Sequence, residues 1–408
     1  MTQQQDSQLD SRFDADVIVV GLGAMGSNAA WQLARRGVSV LGIERFTPGH
    51  VLGSSHGHTR LFRVACLEHP TLVTMARRSR DLWIELEELT GRDIFEQTGA
   101  ISIGPSESTV ISGVLVAAAE HNLPVERVSR ADIGRYARGH ENIPAEWVGL
   151  WDPEGGVVRP EDGVLAAVEA AAAAGARILN DTRVIDIRLV DDGVEVVTPT
   201  AVFRAAQVIV TAGAWLGKLV PNLPLRPLRV PMTWFSPRDP ADDRFTIENL
   251  PVFIRAIDTE TAFWGHGAID GYDAKVGLDW DDNYRWTDAD AIDRTVSQLD
   301  WQRVSEAVAG GLPGLDSEPS RITTCVVTHS PDGQFLVGRP GGDARLLIGG
   351  GDSGHAFKHA TAIGELLAQL ALGEETFVDT AFIDPDRFEA DQAATFHSAP
   401  LAKAAPQS

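Results

Sequence analysis

The sequence predicts an α/β protein whose two domains form an α+β arrangement. The prediction rests on three patterns that follow one another along the chain. A short apolar run at 17–20 leads into a glycine-rich turn, a helical pattern and a second apolar run at 38–43. Between 221 and 314, aromatic-rich segments separated by prolines are typical of an antiparallel sheet. Strand, glycine-turn and helix patterns then return at 346–372. The first domain is therefore built from separated stretches, with the second interleaved.

These changes of pattern set the expected domain boundaries. The first domain is assigned residues 13–90, 150–220 and 320–390. The second domain is assigned residues 91–149 and 221–319. Residues 1–12 and 399–408 are expected to form disordered tails, because chain ends are poorly ordered unless other contacts hold them.

The composition disfavours several classes of function. The 408 residues carry a formal net charge of −22, and both nucleic acids and anionic membrane surfaces attract positive charge instead. Residues 1–16 lack the apolar core of a signal peptide, and no run of about twenty apolar residues exists. The two cysteines cannot build a disulfide framework in a chain of this length. We therefore expect a cytoplasmic protein with no nucleic-acid or membrane partner.

The glycines at 21, 23 and 26 have the GxGxxG spacing of a dinucleotide-binding turn. Such glycines allow the backbone to approach a pyrophosphate at the N-terminus of the following helix, where N–H groups favour an anion. Glu44 ends the second apolar run and can accept hydrogen bonds from a ribose. The order of strand, turn, helix, strand and acid favours this interpretation over ordinary turn glycines.

A loop at 53–63 combines small residues with two histidines and two arginines, which predicts a segment folded over a ligand. Arg63 offers a planar fork suited to a carboxylate, and a structural salt bridge accounts for it equally well without other evidence. His56 and His58 form a weak candidate metal pair, but no third ligand is evident. No metal site is predicted.

Two segments later in the chain also carry candidate functional residues. Gly-Asp-Ser-Gly at 351–354 surrounds the nucleophile in trypsin-like proteases, but that reading needs paired β-barrels and disagrees with the α/β pattern. As a strand-to-helix turn, the same residues direct helix N–H groups at a ligand. Lys275 lies in an aromatic-rich segment and is either extended to the surface or held inward.

Taken in order, four segments resemble the flavin-dependent family of monomeric sarcosine oxidase and N-methyltryptophan oxidase. They are 21–44, 53–63, Cys-Val-Val-Thr-His-Ser-Pro-Asp at 325–332, and Ser-Gly-His-Ala-Phe-Lys at 353–358. The similarity extends from residue 15 to about residue 388. It implies a glutathione-reductase-type fold, as in D-amino-acid-oxidase-like flavoproteins. In that fold a Rossmann-like FAD-binding domain carries an interleaved, mostly antiparallel-sheet substrate domain.

The resemblance also implies roles for individual residues. Cys325 is expected to bond covalently to the 8α carbon of FAD, while Cys66 matches no attachment position. Arg63 and Lys358 are expected to bind the substrate carboxylate, and Lys275 is expected to promote the reaction of reduced flavin with oxygen. The other residues expected around the flavin and reaction centre are His56, Thr59 and Arg60, and Glu68 matches an acid just beyond the loop. The further expected cofactor-binding residues are Gly21, Gly23, Ala24, Met25, Gly26, Glu44, Arg45, Ser54, Ser55, Val184, Ala212, Gly213, Trp215, Gly351, Ser353, Gly354 and His355.

Three positions in the expected substrate pocket depart from the family pattern. Val327 and Phe263 stand where the family has tyrosines, and Asp279 stands where it has a histidine. Losing two hydroxyl groups and gaining a carboxylate favours a substrate other than sarcosine. We hypothesise one with an additional cationic or hydrogen-bonding group, or a bulkier amine. The alternative is an Asp279 that turns outward into solvent.

The implied reaction is the oxidation of a secondary, N-methyl amino acid by a monomeric enzyme. A hydride equivalent passes to flavin N5, the imine is hydrolysed, and oxygen is reduced to hydrogen peroxide. One alternative is a flavin dehydrogenase that passes electrons to a protein or a quinone. The other is a nucleotide-binding sensor that retains the fold without the activity.

Overall fold

A computed structural model describes residues 12–398, and both expected tails lie outside the described residues apart from Arg12, which donates a hydrogen bond to Asp192 at 3.0 Å. In chain order the strands are β1 (Ala15–Val20), β2 (Val40–Ile43), β3 (Arg60–Phe62), β4 (Phe95–Glu96), β5 (Ala100–Gly104), β6 (Glu126–Val128), β7 (Val148–Asp152), β8 (Gly156–Val158), β9 (Arg177–Leu179), β10 (Asp186–Val190), β11 (Gly193–Val197), β12 (Val202–Val210), β13 (Arg226–Phe235), β14 (Val252–Ala256), β15 (Ala262–His266), β16 (Ala274–Leu278), β17 (Arg285–Trp286), β18 (Arg321–His329), β19 (Leu336–Gly338) and β20 (Leu346–Gly350). The α-helices are α1 (Ala24–Ala34), α2 (Leu72–Thr90), α3 (Thr109–His121), α4 (Ile133–Tyr136), α5 (Pro160–Ala173), α6 (Leu216–Leu219), α7 (Gln302–Gly311), α8 (Ala360–Leu372) and α9 (Ala390–Ser398).

An eight-stranded sheet forms the framework of the first domain. Strands β9, β2, β1 and β12 lie side by side and parallel, and β20 runs parallel to β12 as well. The β10–β11 hairpin extends the sheet antiparallel to β12. Because helices and loops cover both faces, β1 is a nearly continuous apolar run and is almost fully buried. This arrangement confirms the Rossmann-like prediction.

A nine-stranded sheet forms the framework of the second domain. Its order is β17, β13, β16, β15, β14, β5, β7 and β6, with β18 pairing to β13, and its pairs are antiparallel except β14 with β5. The antiparallel sheet predicted between 221 and 314 is present. Strand β18 lies within the stretch 320–390 that was assigned to the first domain, yet it pairs along its length with β13 of this second sheet.

The first sheet directs its parallel strand ends toward the second sheet. Strands β1, β12 and β20 end at one edge, because parallel strands place their carboxyl ends together. A small sheet of β3, β8 and β4 lies beside this edge and positions the loop that ends at Arg63. Within residues 12–398, none of the helices is both long and apolar enough to cross a bilayer.

Candidate active site

A cavity of about 1090 Å³ lies between the ends of the first sheet and the face of the second. It brings together most of the residues that the sequence singles out. Those that line it are Gly21, Gly23, Ala24, Met25, Glu44, Arg45, Ser54, Ser55, Thr59, Arg60, Arg63, Glu68, Val184, Ala212, Gly213, Trp215, Lys275, Asp279, Cys325, Val327, Gly351, Ser353, Gly354, His355 and Lys358. Three predicted residues, Gly26, His56 and Phe263, are not part of its lining.

The glycine turn is shaped by close backbone contacts. Gly21 has a φ of 88°, and a Cβ there would lie 2.7 Å from the carbonyl oxygen of Thr211. A Cβ on Gly26 would lie 1.9 Å from the carbonyl oxygen of Gly21, so Gly26 packs α1 against the turn instead of facing the cavity. The backbone and the N-terminus of α1 are thereby open to a ligand, which fits the pyrophosphate of a dinucleotide.

Glu44 holds the same turn from the end of β2. One carboxylate oxygen accepts a hydrogen bond from the N–H of Leu22 at 2.7 Å, and the other accepts from the N–H of Phe46 at 2.9 Å. Burial opposes ionisation, but hydrogen bonds from His50 and these backbone donors outweigh it and lower the pKa of Glu44. The carboxylate therefore stays charged and lines the cavity where a ribose is expected.

Arg45 and Trp215 meet at Asp290, a residue that the sequence gives no reason to choose. Asp290 accepts hydrogen bonds from the Arg45 guanidinium and from the Trp215 indole, both at 2.8 Å. Arg45 also lies over the Trp215 ring, 5.1 Å from its centroid. The loop after β17 thus crosses from the second domain to the first beside the cavity.

Cys325 is buried on β18 and faces the cavity. Its Sγ lies 3.7 Å from Nη2 of Arg60 and 3.8 Å from the carbonyl oxygen of Ser54. Burial raises the pKa of the Cys325 thiol, and the Arg60 guanidinium opposes that effect. Cys66 lies instead in the hydrophobic core of the first domain, where burial raises its pKa to about 12.

Lys275 is held inward, with 1% of its surface exposed. Its Nζ donates hydrogen bonds to the carbonyl oxygens of Gly57 at 2.8 Å and Thr59 at 2.7 Å. Burial, reinforced by the Arg60 charge, lowers the pKa of Lys275 well below its usual value. The amine therefore takes up a proton most readily when negative charge develops near it.

Thr59 is fixed by His266, which the sequence reasoning missed. Nδ1 of His266 lies 2.7 Å from the carbonyl oxygen of Gly267, so it donates there, and Nε2 accepts from the Thr59 hydroxyl at 2.7 Å. Burial lowers the pKa of His266 to about 3, and burial together with Arg60 does the same for His56. Although His56 was expected at the reaction centre, it is buried at 2% exposure and lies outside the cavity lining.

Arg63 and Lys358 converge on one carboxylate. Glu68 accepts from Arg63 Nη2 at 2.7 Å and from Lys358 Nζ at 3.3 Å through the same oxygen. Burial works against the charge of Glu68, but Lys358 and Arg63 outweigh it and hold its pKa well below the usual value. The neighbouring His355 has its pKa lowered to about 4 by burial, so it is neutral at pH 7. Two cations and one anion leave this cluster with a net charge of +1.

Not all the residues expected to bind the substrate line the cavity. Asp279 and Val327 line it, but Phe263 points to the opposite face of β15, where it packs against Phe253 with ring centroids 5.6 Å apart. Side chains alternate along a strand, so the next residue, Trp264, lines the cavity instead. The prediction that Phe263 lines the pocket is therefore wrong. Other lining residues that were missed are Glu260, Trp280 and Tyr284.

The arrangement does not gather metal ligands. Among residues 12–398, no group of three or more His, Cys, Asp or Glu side chains is placed to hold a metal ion. His58 instead stacks on Tyr272, with ring centroids 3.9 Å apart, and its Nε2 lies 3.3 Å from Asp270.

Comparison with known proteins identifies the family to which this site geometry belongs. The profile of the FAD dependent oxidoreductase family matches residues 16–370. The chain belongs to this family. A monomeric sarcosine oxidase of Streptomyces avermitilis is 33% identical over 378 residues, which cover 92% of this chain and 98% of that protein. An N-methyl-L-tryptophan oxidase of Yersinia pestis is 32% identical over 377 residues, covering 92% of this chain and all of that protein.

The FAD-dependent oxidoreductase fold is equally clear in three dimensions. The open form of NikD, described as an unusual amino acid oxidase essential for nikkomycin biosynthesis, superimposes with a TM-score of 0.77 at 24% identity. The match covers 91% of this chain and 97% of that one. FAD fits the residues present, since the open glycine turn, the ionised Glu44 and the cavity size all suit a dinucleotide.

Proposed function

We propose that this flavoenzyme oxidises a secondary, N-methyl amino acid at the expense of oxygen, with FAD bonded to Cys325. The observation that carries the proposal is a single cavity in which the glycine turn, Cys325 and the Arg63–Lys358 pair all face inward. FAD, when bound, supplies the acceptor for the two electrons of the substrate C–H bond. The side chains of the protein supply binding, orientation and charge.

Arg63 and Lys358 are suited to hold the substrate by its carboxylate. Their cluster with Glu68 carries a net charge of +1, so an incoming carboxylate neutralises it. Both cations are almost fully buried, at 7% and 4% exposure, and a buried charge is stable only when it is compensated. Holding the acid end at a fixed place orients the adjacent C–N bond, and such orientation lowers a barrier by about 7–11 kcal/mol in the best cases.

Lys275 is suited to the second half of the reaction. Its low pKa and its position on the cavity surface allow it to stabilise negative charge that develops while oxygen accepts electrons. The carbonyls of Gly57 and Thr59 hold its Nζ in place, so little reorganisation is needed. The products expected are hydrogen peroxide, the demethylated amino acid and formaldehyde from imine hydrolysis.

The cavity lining favours a substrate with a larger or basic side chain. Trp264 and Trp280 offer it aromatic surface, and Asp279 and Glu260 offer negative charge. Aromatic faces and carboxylates both attract a cation. The protein is further proposed to act as a monomer, as the name of its monomeric sarcosine oxidase relative suggests, and to act in the cytoplasm.

An anaerobic substrate panel tests this function. The purified holoenzyme is mixed without oxygen with N-methyl amino acids that carry neutral, aromatic, basic or acidic side chains. We expect one class to bleach the visible flavin absorbance, and admission of oxygen to restore it with one hydrogen peroxide per turnover. Bleaching by none of them contradicts the substrate class. Reoxidation only by an artificial acceptor contradicts the oxidase and favours a dehydrogenase.

A further inference from the structure

Asp352 lies at the cavity surface, next to the strand that carries Cys325, and has no role in the function proposed above. It follows β20 in the turn before Phe357–His359, and it is half-buried. Its Oδ2 accepts a hydrogen bond from the backbone N–H of Thr328 at 3.0 Å, and its Oδ1 accepts from Gly354 N–H at 3.1 Å. The carboxyl group is therefore fixed against β18 and lines the same cavity as Cys325.

The groups that face Asp352 come from four parts of the chain. Strand β18 contributes the Cys325 thiol, β3 contributes the Arg60 guanidinium, the preceding loop contributes Ser54, and its own turn contributes the Gly354 N–H. Arg60 acts on Asp352 only at longer range, because its guanidinium donates to the carbonyl oxygens of Ser54 and Thr59. The partners of Asp352 within residues 12–398 are thus two backbone amides and one hydroxyl.

This environment suits both charge states of the carboxyl group. Burial raises the pKa of Asp352 to about 6, although the two backbone donors and Arg60 oppose the rise. The Ser54 hydroxyl donates chiefly to the carbonyl oxygen of Val326 at 2.6 Å. Its longer contact with Asp352 Oδ2, at 3.5 Å, adds a weak donor that favours the ionised carboxylate.

We propose that the charge of Asp352 tunes the reduction potential of the flavin. The ionised carboxylate lowers that potential, and protonation of Asp352 removes the effect. The proposal rests on the proposed function in one respect, namely that FAD occupies this cavity. Two-electron reduction adds negative charge there unless protons follow, and a fixed carboxylate on the cavity surface opposes that addition. Asp352 thereby couples the driving force of amine oxidation to pH.

The test measures flavin potential instead of turnover. The holoenzyme is reduced anaerobically alongside a reference dye by a general reductant, between pH 5 and 8, in the natural protein and in Asp352→Asn. The two potentials should coincide well below pH 6 and diverge above it. The variant becomes easier to reduce by roughly tenfold in the equilibrium constant, which is ~30 mV for a two-electron couple.

Three further variants separate charge from structure. Asp352→Glu should restore the pH dependence, and Asp316→Asn, an exposed change of equal charge outside the cavity lining, should leave the potential unchanged. Ser54→Ala removes a donor to the ionised form and should move the inflection to higher pH. Identical potential profiles for the natural protein and Asp352→Asn overturn the proposal.

The proposal can still be tested if Asp352→Asn folds poorly. If Asp352→Asn does not retain flavin, the Ser54→Ala profile decides, and an unmoved inflection overturns the inference. A natural protein that shows no flavin absorbance at all contradicts the proposed function instead. The two failures are therefore distinguishable before any substrate is added.

Discussion

The side of the cavity supplied by the first sheet is made largely of backbone, whereas the side supplied by the second sheet is made of side chains. The backbone wall consists of residues 21–25, 211–213 and 349–354, many of them glycine. The side-chain wall consists of Trp264, Lys275, Asp279, Cys325 and Val327. Close contacts such as that of Gly21 with Thr211 leave little freedom in the first wall. The second wall can change its chemistry without changing the fold, so substrate choice is expected to reside there.

Cys325→Ser should distinguish most clearly what each wall contributes to FAD binding. Because this side chain belongs to the side-chain wall, the variant should fold and still bind FAD at the backbone wall, but without a covalent bond. Acid precipitation should then release all the flavin into the supernatant, whereas the natural protein and Cys66→Ala should give yellow pellets. A yellow Cys325→Ser pellet contradicts the attachment site.

Lys275→Met should slow only one half-reaction. Removing a fixed donor to developing negative charge costs about 100–1000-fold in rate, so reoxidation by oxygen should fall by that factor. Anaerobic reduction by substrate should continue. Lys218→Met is the matched control, because Lys218 also lines the cavity but is paired with Asp288 and Asp290. Equal loss of both half-reactions in stopped-flow absorbance assigns Lys275 another role.

Arg63→Ala should weaken substrate binding more than chemistry. A hydrogen bond to a charged group contributes about 1.5–3 kcal/mol, which predicts a rise in KM of about 10–150-fold for a carboxylate substrate. Arg63→Lys keeps the charge without the planar fork, so its KM should lie between those of the natural protein and Arg63→Ala. Steady-state kinetics measures the effect, and an unchanged KM removes Arg63 from the clamp.

Alanine variants of the neighbours Phe263 and Trp264 should have the smallest effects on catalysis. The two variants should differ clearly in whether stability or KM changes. Phe263→Ala should lower the free energy of unfolding by about 3–5 kcal/mol with little change in KM, because its ring packs in the core. Trp264→Ala should change KM severalfold with little effect on stability, because its ring lines the cavity. Thermal unfolding and kinetics of both variants measure this split, and the reverse pattern contradicts the register of β15.

The backbone wall is the part that sequence spacing predicts well. The positions of Gly21 and Gly26 follow from steric demands that leave few alternatives, and the strand, helix and acid around them occur where the pattern places them. The resemblance likewise directs attention to Cys325 and Lys358, which the structure brings to the same cavity.

The remaining features depend on three-dimensional register. Phe263 and Trp264 differ by one position, and only the pairing of β15 with its neighbours decides which side chain faces the cavity. Asp290 and His266 act through partners more than 170 residues away in sequence, at Arg45 and Thr59. No local pattern identifies such pairs.

The pairing of β18 with β13 has a mechanical consequence. Cys325 belongs to the nine-stranded sheet, while the glycine turn that suits a dinucleotide belongs to the eight-stranded one. A cofactor bonded to Cys325 and held by the glycine turn would connect the two sheets. The two sheets would then move as one rigid unit. The protein without its cofactor would lose this connection between the two sides of the cavity.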